Sequence, residues 1–376
     1  MENSRSQILN LNLLRRVDIG TMSLSFSDGG SDSIDSSQKE KDLIKLFEKF
    51  PETFAKPSLV KLNLPIGTYY SSIVKMKSTN PNDIFYGFGR SNNQTTSVSK
   101  GLGESLERYI ATYIYQNYRS LNACSVSVEN SEVFIESTVS QVDLIPDTLK
   151  SSNGWAVHFD MKTAIKSSIL EALERHILLF NYLDSGWENF RKATSGEYNE
   201  VSFESILGKY SIAGMAAAMS SASNKSYPGV TLGYCADSVG NILLSKSWLQ
   251  AFFEAYETSL YFKKNDLNVD KFTDDGSKDL RESQIYYLTN NKPNVQEADF
   301  NKFNFESARN SIGFNLSVFD LSDVLGVPFY ISHAWGGDFI PLFFKKRLNE
   351  EGITYLRASL ARNGLSQNIP EIHPVI

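Results

Sequence analysis

Apolar residues recur at helical spacing in three long stretches of the chain. Between about Ser99 and Tyr118, Leu102, Leu106, Tyr109, Ile110 and Tyr113 share one side at 100° per residue. From about Lys162 to Leu183, Ile169, Leu173, Ile177 and Phe180 do the same, and from about Ser245 to Lys264 so do Trp248, Phe252, Tyr256 and Leu260. Each pattern predicts a long amphipathic helix. Asp42–Phe50 is a shorter one, closed by Pro51. Strand-like patterning runs from Thr68 to Tyr86, with SSIVKMK the best segment, and again over 212–244 around Gly233 and Gly240. Val318–Ile331 reads as strand, turn, strand, and 341–363 is mixed and ends in a helix. Gly87-Phe-Gly-Arg-Ser91 reads as a glycine-bearing loop ahead of the first long helix. Residues 18–41 hold seven serines and five acids, too polar to pack, and read as a loop or mobile linker. The stretch 265–310 is charged and Asn-rich, a surface excursion and candidate docking surface. These elements predict an α+β (mixed α/β) fold, with an N-terminal segment 1–41 and a domain over 42–376.

The polar sides of the helices carry an internal echo. Glu104-Ser-Leu-Glu-Arg-Tyr-Ile110 and Glu171-Ala-Leu-Glu-Arg-His-Ile177 agree at five of seven positions, 67 residues apart. Glu104, Glu107 and Arg108 share a face with Lys100 and Ala111, and Glu171, Glu174 and Arg175 share one with Ala164 and Ser167. A single Glu–Arg pair at (i, i+4) is usually a solvated face, stabilising a helix by about 0.3–0.5 kcal/mol. Two copies flanked by small residues instead suit a site that something approaches. Four carboxylates from two helices can hold magnesium on oxygen ligands, and the arginines can orient them or touch phosphate.

The third helix adds Ser247, Gln250, Glu254 and Glu257 along one face, either a solvent edge or a further piece of the same site. The glycine segment can bring backbone N–H groups to phosphate, but it lacks the Gly-Lys-Ser/Thr of a Walker A loop, and a plain turn is the simpler reading. Asn153-Gly154 is most simply a turn, placed where a ligand role ahead of the second acidic helix is open. The four histidines, His158, His176, His333 and His373, show no metal spacing, and His176 on an apolar helix face reads as core.

Composition narrows the classes. A chain of 376 residues with 41% hydrophobic and 21% charged residues is long enough for a substantial core. Two cysteines exclude a disulfide scaffold and a Cys-based metal centre, and fit a reducing compartment. With a net charge of -6, nothing in the bulk electrostatics suggests a nucleic-acid binder. No apolar run reaches the roughly 18 residues a membrane helix needs, and the N-terminus has no signal-peptide core. The expected location is the cytoplasm, with no membrane association.

The motifs together resemble the YcaO family. Gly87-Phe-Gly-Arg-Ser with Lys100-Gly-Leu-Gly-Glu-Ser-Leu-Glu-Arg108 looks like its first nucleotide-binding element. Ser152-Asn-Gly-Trp-Ala, then Ser167 to Arg175, looks like its second, and Ser247 to Glu257 resembles its third acidic helix. The resemblance covers about 65–265. It implies a YcaO-type fold and ATP-dependent activation of peptide backbone amides, with ATP and Mg2+ bound by acidic helices. Carried over by motif, Glu104, Glu107, Glu171 and Glu174 match metal ligands. Gly87, Gly89, Arg90, Ser91, Arg108, Asn153, Ser167, Arg175, Glu254 and Glu257 match nucleotide-site positions, and Arg175 also a catalytic one. The chain departs from the family where Arg90 stands near a common lysine, Glu257 replaces a common glutamine, and Ser259 replaces a common arginine.

The azoline-forming branch ends in a proline-rich tail whose carboxylate reaches the active site. Here the chain closes Pro370-Glu-Ile-His-Pro374-Val-Ile376, so Pro374 and Ile376 are candidate catalytic-tail residues. The resemblance implies a cyclodehydratase subunit acting on a ribosomally made precursor peptide, with thioamide or amidine formation, or a non-catalytic ATP-binding scaffold, as alternatives. The chain has only the length of the YcaO domain, so a separate leader-peptide-binding partner protein is expected. A flavin dehydrogenase and a homo-oligomer or hetero-complex are further expectations.

Overall fold

The computed structural model describes residues 9–26, 33–64, 67–77, 84–137, 140–151, 153–198, 201–224, 227–238, 252, 253, 255, 295–298 and 303–370. In chain order come strands β1 (Arg15–Arg16) and β2 (Met22–Ser25), helix α1 (Ser33–Phe47), and strands β3 (Ser58–Leu64), β4 (Gly67–Lys77) and β5 (Ile84–Ser91). Helix α2 (Gln94–Asn117) leads to β6 (Ser120–Glu129), β7 (Glu132–Ile135), β8 (Ser140–Asp143) and β9 (Trp155–His158), and then to helix α3 (Met161–Ser185). After α3 come β10 (Phe190–Tyr198), β11 (Val201–Gly208), β12 (Tyr210–Ile212), β13 (Met215–Asn224) and β14 (Tyr227–Ser238). The C-terminal part carries β15 (Gln296–Glu297), β16 (Glu306–Arg309), β17 (Ser311–Asp320), α4 (Ser322–Leu325), β18 (Tyr330–Trp335) and α5 (Glu350–Arg362).

The strands make three sheets. β3, β4 and β5 form an antiparallel meander. An eight-stranded sheet runs β2-β7-β6-β17-β18-β9, with β1 on β17 and β8 on β6. A seven-stranded sheet runs β15-β10-β11-β13-β12-β16, with β14 on β13. Helix α2 packs on β4 and β5 and reaches β9, while α3 packs on β9 and β18 and meets β13 and β14 from its other side. Strand β9 therefore has both long helices against it, and this brings their polar faces together.

Local chemistry explains both helices. The Asn93 side chain accepts from the N–H groups of Thr95 and Thr96 to open α2, and Asp160 accepts from Thr163 N–H to open α3. Leu106, Ile110 and Ile114 of α2 and Ile165, Ile169, Leu173 and Ile177 of α3 are wholly buried. Each such side chain contributes about 1.5–3 kcal/mol of burial. The acids on the opposite face cannot join that core, so the stripe decides which way each helix turns.

Several expectations are corrected. Gly87–Ser91 is not a loop but the end of strand β5. The polar stretch 18–41 contains β2, paired with β7, and α1 begins at Ser33 rather than Asp42. Buried Leu24 anchors that strand, and buried Leu43, Leu46 and Phe47 anchor the helix, so neither needs an apolar majority. Strands β3, β10 and β11 are additional to the pattern reading. Within 265–310, β15 pairs with β10 and β16 with β12, so the described end of that stretch belongs to a sheet rather than to a surface excursion. Of the predicted helix over Ser245–Lys264, Phe252, Phe253 and Ala255 are helical and buried; the rest lies outside the described residues. Among the described residues, no helix is long and apolar enough to cross a membrane.

Candidate active site

Glycine is what lets α2 approach β5. A Cβ on Gly87 would stand 2.0 Å from the Gly101 carbonyl oxygen, and one on Gly89 would stand 1.8 Å from that of Ser97. These glycines thus serve close packing of strand on helix, a role the loop reading missed. The close approach lays the first acidic motif along the edge of β5. Phe88 N–H donates to Glu104 Oε2 at 2.5 Å, and Arg108 donates from Nη1 to the Tyr86 carbonyl at 2.8 Å and from Nη2 to Glu104 Oε1 at 2.6 Å. Glu107, one turn on, accepts from the N–H of Val157 on β9. The first motif therefore sits between two strand edges.

The second motif faces it across β9. Burial drives the Glu107 acid well above its ordinary value, and the charges of Glu171 and Glu104 push it further. Burial likewise pushes Glu171 up to about 8, against the pull of Arg175, with Glu174 and Glu104 adding to the rise. Arg175 Nη1 stands 3.0 Å from Glu174 Oε1, and its guanidinium lies 4.5 Å over the Tyr234 ring of β14. The (i, i+4) pairing read from sequence thus holds for Glu104 and Arg108, whereas Arg175 turns to its neighbour Glu174.

Asn153 stands beside this group. Gly154 takes φ +76, and a Cβ there would meet Ala334 O at 2.3 Å and Ala172, next to Glu171, at 3.4 Å. The Asn153 Oδ1 is buried with no hydrogen-bond partner among the described residues. A buried acceptor left over beside a cluster of acids fits a ligand donor or a cation.

The other predicted residues fall less centrally. Ser167 is exposed on α3, and Ser91 Oγ accepts from Asn93 N–H at the start of α2. The Arg90 carbonyl accepts from Lys100 Nζ at 3.4 Å. Glu254, Glu257, Pro374 and Ile376 lie outside the described residues. Among the described residues, no three His, Cys, Asp or Glu side chains converge closely enough to hold a metal. Glu104 and Glu174 are turned to their arginines instead. The donor set is still that of a hard cation: carboxylate oxygens from two helices whose charges raise one another, which a divalent ion between them would relieve.

A cavity of about 750 Å³ adjoins the first motif, lined by Arg108, Ala111, Thr112, Tyr115, Arg119 and Lys150 among others. Beneath it Tyr115 Oη accepts from Trp155 Nε1 at 3.2 Å and lies 3.3 Å from His333 Nε2. His333 is stacked between Trp155 and Trp335, and burial holds its imidazole well below its ordinary value, hence neutral. Sequence reading missed these residues. Continuing the acidic stripe of α2 at helical spacing from Arg108 leads to Ala111, Thr112 and Tyr115, the signal that would have found the α2 wall.

No protein-family model matches the sequence, and no curated protein matches it. Solved structures do. The YcaO protein from Methanopyrus kandleri, solved with AMPPCP and Mg2+, superposes with TM-score 0.50 at 11% identity, over 80% of this chain and 90% of that one. A heterocyclase in complex with substrate and cofactor superposes with TM-score 0.51 at 12% identity, over 86% of this chain. The match spans only 55% of that longer heterocyclase. With helices and several sheets arranged as in these proteins, the chain has the α+β fold of the YcaO proteins.

Proposed function

We propose that the chain is a magnesium- and ATP-dependent enzyme that activates backbone amides of a ribosomally made peptide. The reading is a cyclodehydratase closing thiazoline or oxazoline rings from Cys, Ser or Thr side chains. The observation that carries it is the meeting of the two Glu-x-x-Glu-Arg faces, where the charge of Glu171 raises the Glu107 acid and the charge of Glu104 raises both. The buried Asn153 Oδ1 and the likeness in fold to a YcaO protein bound to AMPPCP and Mg2+ support it.

In this reading Glu104, Glu107, Glu171 and Glu174 hold magnesium, and Asn153, Glu254 and Glu257 hold further parts of the nucleotide. Magnesium–ATP supplies a phosphoryl group that turns an amide oxygen, a very poor leaving group, into a good one. Arg108 and Arg175 already lie against the acids and can transfer their donors to phosphate oxygens. Tyr234 and the Glu174 carboxylate hold Arg175 in place. The cavity beside Arg108 leaves room for a peptide segment. Pro374 and Ile376 are the tail residues assigned to the step that deprotonates the attacking side chain. A separate leader-binding protein presents the peptide.

Calorimetry with AMPPCP and Mg2+, and phosphate release with ATP, partner and peptide, test the reading. Nucleotide binding that is lost in Glu171→Gln is expected. Removing Pro374-Val375-Ile376 is expected to abolish ring formation while leaving nucleotide binding intact. Nucleotide binding that is equal in wild type and Glu171→Gln would overturn the site, and full-rate dehydration by the truncated chain would shift the product to a thioamide or amidine.

A further inference from the structure

Strand β5 ends the three-stranded sheet, and among the described residues no strand pairs with its outer edge. An exposed edge is a row of backbone donors and acceptors that normally attracts another strand or is blocked. Here it is blocked by side chains. Tyr86 C=O and Phe88 N–H point outward from the same side of β5, as alternate residues of a strand do. Arg108 donates to the first and Glu104 accepts from the second, while Arg108 also holds Glu104. One carboxylate and one guanidinium thus take the places of the C=O and N–H that a neighbouring strand would offer. Two positions on, the Arg90 carbonyl accepts from Lys100 Nζ. Beside this edge Ile84 and Tyr86 are exposed at 40% and 42%. The cavity lined by Ala111 and Tyr115 shares Arg108 with this edge.

We infer that the outer edge of β5 is the docking strand for an extended peptide substrate, closed by the Glu104–Arg108 pair and opened when that pair turns to magnesium and nucleotide. This rests on the nucleotide reading above. A cation on Glu104 and a phosphate on Arg108 would compete for the oxygens and N–H groups that now cap the edge, and would pull both side chains from it. Once they turn, Tyr86 C=O and Phe88 N–H lose their partners next to the reacting phosphoryl group. A peptide added as a strand satisfies them and lays its own amides along the acidic site, with affinity from main-chain hydrogen bonds and little demand on side-chain identity. Nucleotide and peptide binding are then positively coupled, and the coupling is reciprocal.

The test uses the full chain and a fluorescein-labelled decapeptide of Gly, Ser and Cys, with and without AMPPCP and Mg2+. Tyr86→Pro removes the outward N–H of an edge residue without touching the β4 ladder, and Tyr86→Ala keeps that N–H while removing the ring. Calorimetry with AMPPCP on all three proteins reports whether the nucleotide site is intact. Expected is peptide affinity that rises at least about tenfold with AMPPCP, is lost in Tyr86→Pro, and stays within about threefold in Tyr86→Ala. The Phe88 amide should exchange faster on adding nucleotide and slow again with peptide. If AMPPCP binds but the peptide does not, or binds equally with and without it, or binds Tyr86→Pro as it binds Tyr86→Ala, the docking strand is overturned and the nucleotide reading stands. A concentration-dependent dimer lost in Tyr86→Pro would assign the edge to a second copy instead, also overturning it. No binding of AMPPCP to the wild-type chain would overturn both.

Discussion

The two Glu-x-x-Glu-Arg copies agree at five of seven residues, yet their arginines are held by different neighbours. On α2, Arg108 pairs with Glu104 along the helix and borrows the Tyr86 carbonyl from a strand edge; its side chain is 34% exposed. On α3, Arg175 turns to the adjacent Glu174, lies over Tyr234, and is 16% exposed. Both arginines also lie over an aromatic ring, Arg108 at 5.7 Å from that of Phe88 and Arg175 at 4.5 Å from that of Tyr234, so the difference lies in the strand-edge carbonyl and in the depth of burial. The same short motif therefore gives one adaptable arginine and one packed arginine, and the tertiary neighbour makes the choice.

The largest effect is expected where the first copy meets β5. Gly89→Val puts side-chain atoms into the Ser97 carbonyl and should cost ~3 kcal/mol or more, read as loss of soluble protein or a collapsed denaturation midpoint. Gly103→Ala, whose Cβ meets only Val157 at 3.2 Å, should cost far less. Equal effects would show that α2 and β5 are not in this close contact.

Next is turnover. Glu171→Gln should lower phosphate release by about 100-fold or more with the melting temperature kept or raised, because a neutral group replaces a buried acid crowded by Glu174 and Glu104. A drop in stability without loss of turnover would place Glu171 in the scaffold rather than the site.

The two arginines should differ in stability. Arg175→Lys loses the more deeply buried planar cation and the closer ring contact, and should cost about 1–2 kcal/mol. Arg108→Lys, part-exposed, should cost below about 1 kcal/mol. Chemical denaturation of both variants compares them, and equal costs would erase the distinction drawn between the copies.

The smallest expected effect is on pH. Glu171 rises from its ordinary 4.5 to about 8, so between those values the folded chain holds a proton that the unfolded chain has released. Stability must then fall as pH rises through that window, and Glu107 adds with the same sign. Melts in metal-free buffer should show this slope, and Glu171→Gln should flatten it. An unchanged slope in the variant would mean that Glu171 is not a buried acid held above its ordinary value.

Much of the site was legible because helical periodicity is local. Glu104, Glu107, Glu171 and Glu174 could be placed opposite buried Leu106 and Leu173 from spacing alone. The glycine segment misled, because two glycines in five residues read equally as a turn or as a strand shaved for close packing; only the position of Ser97 and Gly101 decides. The Ser-rich stretch misled in the same way, since β2 draws its partner β7 from more than a hundred residues further on.

What the sequence determined by itself was the pair of long helices α2 and α3, the face of each that is apolar, and the repeated acids on the other. These depend on residues three and four apart, which no distant contact can rearrange. Tertiary structure alone decided that β9 would lie against both helices, that Glu104 and Glu107 would each take the N–H of a different strand edge, and that Arg175, while still drawing on Glu171, would contact Glu174 and Tyr234. Those outcomes depend on strand order and on which backbone edges remain unpaired. Both are settled by contacts between residues far apart in the chain, where the spacing of one segment carries no record of the other.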